Sequence, residues 1–151
     1  IDYGRTFRYA CFAFENRNLS SFADLPIKYL TDDALKFVNR EIRRENRYDA
    51  IILDPPKYGR GPNGEKWELQ KDLPILLNLL PQILSKNPLF VILNSYAIRS
   101  SYSSLHYALR EVMKTYKGKV ESGEISIFED QDDPREISTA IFARWESKSI
   151  I

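Results

Sequence analysis

Two apolar periodicities alternate along the chain. Short β-branched runs read as strands, and the stretches between them repeat apolar residues every three or four positions, as helices do. Ile27-Lys28-Tyr29-Leu30 reads as a strand. The helix that follows places Ala34, Leu35, Val38 and Ile42 on one face, sets Arg40, Arg43, Arg44 and Arg47 between or beyond them, and has Thr31 or Asp32 to offer an N-cap oxygen. Tyr48 to Leu53 is a nearly continuous apolar run, the pattern of a parallel strand covered on both faces. It stops at Asp54-Pro55-Pro56, because proline has no N–H for a strand ladder. Lys57 to Lys66 reads as a Gly-rich, basic loop. From about Trp67 to Lys86 the spacing of Leu73, Leu76, Leu77, Leu80, Ile83 and Leu84 predicts a helix, with Pro74 in its first turn and Pro81 kinking or breaking it. Leu89 to Leu93 is a second buried strand, Asn94 to Ser101 its exit loop, and Ser103 to Tyr116 a helix carrying Leu105, Leu109, Val112 and Met113. Lys119 to Phe128 and Ile137 to Trp145 alternate apolar with polar residues around the acidic turn Glu129 to Arg135, which predicts an antiparallel hairpin at one sheet edge.

Strands joined by helices and closed by a hairpin indicate a doubly wound α/β sheet, whose ligands bind at the carboxyl tips of the strands. That rule selects three loops: Thr31 to Ala34, Asp54 to Gly61 and Asn94 to Arg99. At 151 residues and 43% hydrophobic the chain is sized for a single globular domain, without repeat or low-complexity linker. With 22 Lys+Arg against 21 Asp+Glu, no whole-molecule field advertises nucleic acid or an anionic membrane, so partners must be argued from local sites. The single cysteine, Cys11, excludes an internal disulfide and leaves no Cys/His cluster for a metal. Apolar runs fall well short of the roughly 18 residues of a membrane span, and no leader pattern opens the chain, so no membrane partner and a cytoplasmic location are expected. The chain starts at Ile1 rather than Met, the first hint of a piece of something longer.

The octet Asp54-Pro55-Pro56-Lys57-Tyr58-Gly59-Arg60-Gly61 is the most informative stretch, since one strand delivers a carboxylate, two stiff prolines, an aromatic ring and two cations to one sheet edge. Asp54 and the following carbonyl can accept hydrogen bonds from an amino or ring N–H, Tyr58 can stack on a base, and Lys57 and Arg60 can meet phosphates. An ordinary strand-to-helix turn with a capping Asp is the plainer alternative. Asp32 and Asp33 open a helix, where one can cap and the other face a ligand. Asn94-Ser95-Tyr96 follows the next strand in the same manner, Asn94 being able to donate and accept. Gly59 to Lys66 is no phosphate-cradling loop, because Glu65 stands where the lysine is needed, and no dinucleotide fingerprint occurs. His106 has no second His or Cys nearby and reads as a packed or surface residue; Cys11 reads as an inert thiol. The acidic turn with Asp130, Asp132 and Asp133 lacks the glycine and distant glutamate of a calcium loop.

Taken together, Asp32 to Phe37, Tyr48 to Gly61, Asn94 to Arg99 and the closing hairpin resemble the class I S-adenosylmethionine-dependent methyltransferases. They are most similar to the group of bacterial large-subunit ribosomal RNA methyltransferases with a DPPxF/Y motif. The likeness covers roughly Ala13 to Trp145. It implies a partial Rossmann-like class I methyltransferase sheet, from the third strand onward, mostly parallel with a C-terminal antiparallel hairpin. It also implies S-adenosylmethionine as cofactor, contacted through Asp33 with Asp32 and the Ala34 N–H beside it. Asp54, Pro55, Pro56 and Tyr58 would shape the acceptor pocket, with Lys57, Arg60, Asn94 and Ser95 as substrate contacts. The implied reaction is direct in-line displacement on a nucleobase of RNA, in which the protein supplies orientation and charge placement. Relatives that methylate cytosine at C5 need a cysteine near this pocket, and Asn94-Ser95-Tyr96-Ala97 offers none, which favours a nitrogen or oxygen acceptor.

The resemblance departs at the front of the chain. The two strands that carry the family's glycine-rich cofactor loop and ribose-binding acid have no counterpart, and Asn16 to Ala23 resembles only the helix tail and loop before the third strand. In the family's strand order the missing pair would leave a gap of about 10 Å. Residues 1–151 are therefore expected to be one incomplete catalytic domain, residues 24–146 being its family-like core. It is expected to be inactive alone and completed by an N-terminal chain or a swapped dimer. A non-catalytic RNA- or nucleotide-binding module, or the remnant of a split gene, is the alternative.

Overall fold

A computed structural model describes residues 30, 32–61, 64–96, 98–130 and 135–148. The expected strand at Ile27 to Leu30, except Leu30 itself, and the expectations for Ile1 to Ala23 lie outside these. The first described element is helix α1 (Ala34–Arg43), followed by strands β1 (Ala50–Leu53), β2 (Tyr58–Arg60) and β3 (Lys66–Glu68), and helix α2 (Leu69–Leu79). Strand β4 (Phe90–Ser95), helix α3 (Tyr102–Val112) and strands β5 (Gly118–Phe128) and β6 (Glu136–Ser147) complete the order. The main sheet runs β1-β4-β6-β5, with β1 and β4 parallel and the hairpin pairs antiparallel. The α/β class, the parallel pair and the closing hairpin are as the apolar patterning predicts. The hairpin closes the edge with its second strand inward, against β4.

The sheet's two faces differ. Ile51, Leu53, Val91, Leu93, Ile141, Ala143 and Trp145 alternate onto one face and join a single core with Val38 of α1, Leu73, Leu76 and Leu77 of α2, and Leu105 and Leu109 of α3. Ala50, Ile52, Phe90, Ile92 and Phe142 occupy the other face, and none of them enters that core. Ile52 is 60% exposed. The double-sided cover expected of Tyr48 to Leu53 is thus present on one face only among the described residues. β1 is also an edge strand of the described sheet.

Local chemistry moved several boundaries. Asp33, not Thr31 or Asp32, caps α1: its side chain accepts the Lys36 N–H at 2.9 Å. Asp32 instead accepts the Asp33 N–H and pairs with Arg40 at 2.5 Å. The Gly-rich stretch after β1 is not a plain loop. Tyr58, Gly59 and Arg60 pair with Glu68, Trp67 and Lys66 as a small antiparallel hairpin, turned by Gly64 at φ 85°. Helix α2 consequently starts at Leu69, which puts Pro74 inside it rather than in its first turn. Pro74 has no N–H for the Gln70 carbonyl four residues back, so that ladder bond is missing. Pro81 ends the helix as expected, within a 3-10 turn at Leu80–Gln82. β4 runs two residues beyond Leu93, so Asn94 and Ser95 are the last strand residues and not the start of the exit loop.

Candidate active site

The parallel register Leu53↔Leu93 ends β1 one residue before Asp54 and leaves Asn94 as its neighbour on β4. Asp54 and Asn94 therefore each follow a paired residue at the carboxyl edge, on neighbouring chain segments whose strands lie about 4.8 Å apart. Asp54 is exposed on one side and has no hydrogen-bond partner among the described residues. Partial burial beside the buried Pro55 pushes its pKa above the ordinary carboxylate range, which makes it a stronger proton and hydrogen-bond acceptor. Ser95 points to the core face, is 1% exposed, and its Oγ finds no partner.

The segment after Asp54 is anchored through its backbone. The Pro56 carbonyl accepts Trp67 Nε1–H at 2.8 Å, and the Lys57 carbonyl accepts the Leu69 N–H at 3.0 Å. Trp67 is buried, so the prolines and the base of the hairpin are fixed to the core. Tyr58 is 50% exposed, and its hydroxyl accepts Arg60 Nε–H at 2.9 Å. Ring and guanidinium are thereby presented together at the hairpin's outer strand. Gly61 N–H donates to the Glu65 carbonyl at 2.8 Å, which closes the turn, and the Glu65 side chain folds back over Gly61.

Asp33 reaches this neighbourhood through α1. Lys36, one turn into that helix, pairs with Glu65 at 2.6 Å and joins the start of α1 to the hairpin. Glu65 in turn holds the Lys36 ammonium more firmly protonated than usual. Asp33 spends Oδ1 on its cap, and Oδ2 receives no described hydrogen bond. Ala34 opens the helix, where first-turn N–H groups have no intrahelical acceptor. Asp32 is held below its ordinary pKa, chiefly by its hydrogen bond with Arg40.

The far end of α1 is fixed by a buried carboxylate. Glu41 is 4% exposed and accepts Tyr48 Oη–H at 2.5 Å and Asn46 Nδ2–H at 2.7 Å. Those bonds, Tyr48 first, hold its pKa down; burial, and then Glu41, pushes the Tyr48 phenol up to about 12. Since Tyr48 leads into β1, this contact sets α1 relative to the strand that delivers Asp54.

The structure brings Asp54 beside Asn94, and Asp32, Asp33 and Ala34 to the helix that is tied to the Tyr58–Glu68 hairpin. Lys57 and Tyr58 turn to a separate groove between α2 and α3, which Asp54, Asn94, Ser95, Asp32 and Asp33 do not line. Lys36, Glu65, Trp67 and Glu41 were missed by sequence reasoning. Trp67 alone left a signal, as an aromatic residue directly after a Gly-rich turn. Among the described residues no cluster of His, Cys, Asp or Glu could hold a metal ion, and no helix is long and apolar enough to cross a membrane. His106 rests its Nδ1 3.1 Å from Ser122 Oγ, in keeping with a packed residue.

No family model matches the chain, and no curated protein does. Among solved structures, the S-adenosylmethionine-dependent methyltransferase of Agrobacterium tumefaciens is 44% identical over 89% of this chain, with a TM-score of 0.79. The match spans 44% of that protein, so the chain is similar to less than half of its length. A Streptococcus mutans protein described as a SAM-dependent methyltransferase is 19% identical over 76% of this chain and 29% of its own, at a TM-score of 0.49. The SMU.776 protein, solved with SAH, is 21% identical over 76% and 30% of the two chains, at 0.48. Over the stretch it shares with the Agrobacterium protein, the chain has the α/β fold of an S-adenosylmethionine-dependent methyltransferase.

Proposed function

We propose that this chain is part of the catalytic domain of a class I S-adenosylmethionine-dependent methyltransferase of the DPPxF/Y type, acting on a nucleobase of RNA, ribosomal RNA in the first place. The observation that carries the reading is the sequence Asp54-Pro55-Pro56-Lys57-Tyr58 at the carboxyl edge of β1, in a chain 44% identical to an S-adenosylmethionine-dependent methyltransferase. The open polar groups fit the cofactor. Asp33 keeps one carboxylate oxygen for the amino group of an adenine, and the Ala34 N–H lies next to it as a donor. The cofactor, when bound, supplies a methyl group on a positively charged sulfur. Everything else in the reaction falls to the chain's own residues. Pro55 and Pro56 stiffen the backbone at the acceptor; Asp54, partly desolvated and with its pKa raised, orients an acceptor N–H and receives its proton; Tyr58 offers a face on which a base can stack.

The domain is incomplete on this reading. The apolar face with Ile52, Phe90, Ile92 and Phe142, together with the free edge of β1 among the described residues, suits a complementing N-terminal segment. The cofactor's ribose and methionine end would lie against that segment.

The test has two stages. S-adenosylmethionine is titrated calorimetrically into the purified chain, alone and with the segment of the Agrobacterium protein that lies outside the shared stretch. Methyl incorporation into large-subunit ribosomal RNA is then followed with labelled cofactor. The proposal expects binding and transfer in the reconstituted sample and neither in the chain alone. A stable complex that binds no cofactor would overturn it. A second reading, a non-catalytic RNA-binding module, is favoured by Arg43, Arg47, Lys57 and Arg60, which have no carboxylate partner among the described residues. It predicts salt-dependent RNA binding without any cofactor binding.

A further inference from the structure

An open groove of about 740 Å³ runs between α2 and α3, beginning at Lys57 and Tyr58 and passing Arg99 and Ser100. Its volume is in the range of ligand sites, roughly 300–1,000 Å³. Leu73, Leu77 and Leu105 give it an apolar floor, while charge collects on its rim. The rim charges do not cancel evenly. Glu68 is engaged by Lys71 at 2.5 Å, and Glu111 by Lys114, so those acids are neutralised locally. Lys57 and Arg99 have no ion-pair partner among the described residues, and both are exposed. The groove therefore presents two uncompensated cations, next to an exposed tyrosine ring, above an apolar floor.

We infer that this groove is a subsite for single-stranded RNA, seating the nucleotides that flank the acceptor base. Phosphodiester oxygens lie against Lys57 and Arg99, and base or ribose faces lie against Tyr58 and the leucine floor. The charge pattern decides for this occupant. A polyanion supplies the counter-charges that Lys57 and Arg99 lack, and flat base faces suit both an exposed phenol ring and an aliphatic floor. An apolar peptide would cover the leucines but make no use of the two rim cations, whereas a polyanion engages both. The inference rests on the RNA reading of the neighbouring site, shares Lys57 and Tyr58 with it, and adds Arg99 and the leucine floor, which that reading does not use. Arg99 is beyond the reach of the Asp54 motif in sequence, and the groove is where the exit loop of β4 meets the start of the β2–β3 hairpin.

The experiment uses the whole chain and a fluorescent single-stranded RNA oligonucleotide, with anisotropy followed across a salt series. The variants are Lys57→Glu, Arg99→Glu and, as a control on the distant basic helix, Arg43→Glu. All three positions are exposed, so circular dichroism should report an unchanged fold. Expected is a loss of affinity of roughly tenfold for each groove variant, a fall of about 0.7 in the salt slope for each, and little change for Arg43→Glu. Loss with Arg43→Glu and none with the groove variants would overturn the subsite and give the binding to α1. No RNA affinity, with an amphipathic peptide bound in the groove instead, would also overturn it. Cofactor titration of the same samples separates the two readings: groove-dependent RNA binding in a reconstituted sample that takes no cofactor leaves the subsite standing and removes the methyltransferase reading.

Discussion

Glu41 is a buried carboxylate whose removal should cost the fold measurably. Its carboxylate is 4% exposed and accepts hydrogen bonds from Tyr48 and Asn46; its third contact, with Arg44 at 3.4 Å, is to a side chain 61% exposed. Hydrogen bonds to a charged acceptor contribute about 1.5–3 kcal/mol each, whereas so exposed an ion pair contributes about 0–1 kcal/mol. Because Tyr48 and Asn46 are only partly shut off from water, Glu41→Ala should destabilise by about 2–4 kcal/mol, lowering the Tm by roughly 5–15 °C. Glu41→Gln, which keeps an acceptor oxygen, should lose about half of that. The pH dependence carries a signature. Glu41 has its folded pKa depressed, so its contribution is present above its ordinary value of 4.5 and is lost as pH falls through the lower folded value. The gap between the native chain and Glu41→Gln should therefore close as the solution is acidified below about pH 4.5. Tyr48 behaves in the opposite sense. Its folded pKa is raised from 10.0 to about 12, so its contribution is present below pH 10 and lost as pH rises through about 12. Urea unfolding followed by tryptophan fluorescence measures all of this, because Trp67 and Trp145 are both buried. Equal urea midpoints for Glu41→Ala and the native chain at pH 7, or a difference that persists unchanged at pH 3, would refute the reasoning.

Three further substitutions probe other parts of the fold. Gly118→Ala should destabilise by about 1–3 kcal/mol, read by thermal unfolding, since its Cβ would clash with the Glu146 carbonyl oxygen, a backbone atom that cannot step aside. Ser95→Ala should leave stability unchanged or raise it by up to about 1 kcal/mol, read by thermal unfolding, because the buried Oγ has no partner to lose. Ile52→Lys should alter the chain's own stability by less than about 0.5 kcal/mol, as the side chain is 60% exposed, yet should abolish capture of a complementing segment in a pull-down.

How much was legible in the sequence depended on whether the information was local. The core helices and the β4 strand follow from apolar spacing alone, and Leu105, Leu109 and Met113 are buried as that spacing demands. The DPP segment marks the end of β1 for the equally local reason that proline cannot extend a ladder. The sequence left Thr31, Asp32 and Asp33 all open as the cap of α1, since each carries a suitable oxygen, and the chain's direction selects Asp33. The β2–β3 hairpin was hidden by its own composition: Gly, Pro, Lys and Arg dominate it, and what makes it a structure is the single apolar residue Trp67 reaching the core. The one-sided cover of the sheet was equally illegible. Ile52 and Leu53 look alike in a continuous apolar run, and which of them is covered depends on elements elsewhere in space. Arg99 belongs to the groove only because α2 and α3 lie side by side, a tertiary fact that no spacing records.

The hairpin's two attachments are unequal, and this has consequences for the site. At its base Trp67 is 4% exposed and donates to the Pro56 carbonyl, an apolar and neutral attachment that involves several kcal/mol of burial, about 1.5–3 kcal/mol for a large side chain before its hydrogen bond is counted. At its tip the Lys36–Glu65 pair has a lysine 61% exposed, so it is screened by salt and contributes only about 0–1 kcal/mol. The base should therefore hold under conditions that release the tip. Lys36→Met removes the charge with little loss of side-chain length or helix propensity, so it isolates the tip contact. The expected result is faster amide exchange at Gly61, whose N–H sits on the Glu65 carbonyl, with the Trp67 indole and the global unfolding midpoint unchanged. High salt should produce the same pattern in the native chain and have no further effect in the variant. If Lys36→Met instead loosens Trp67 to the same extent, the hairpin moves as one body, and the start of α1, with Asp33, would be coupled to the Pro55–Pro56 segment through the tip rather than through the core.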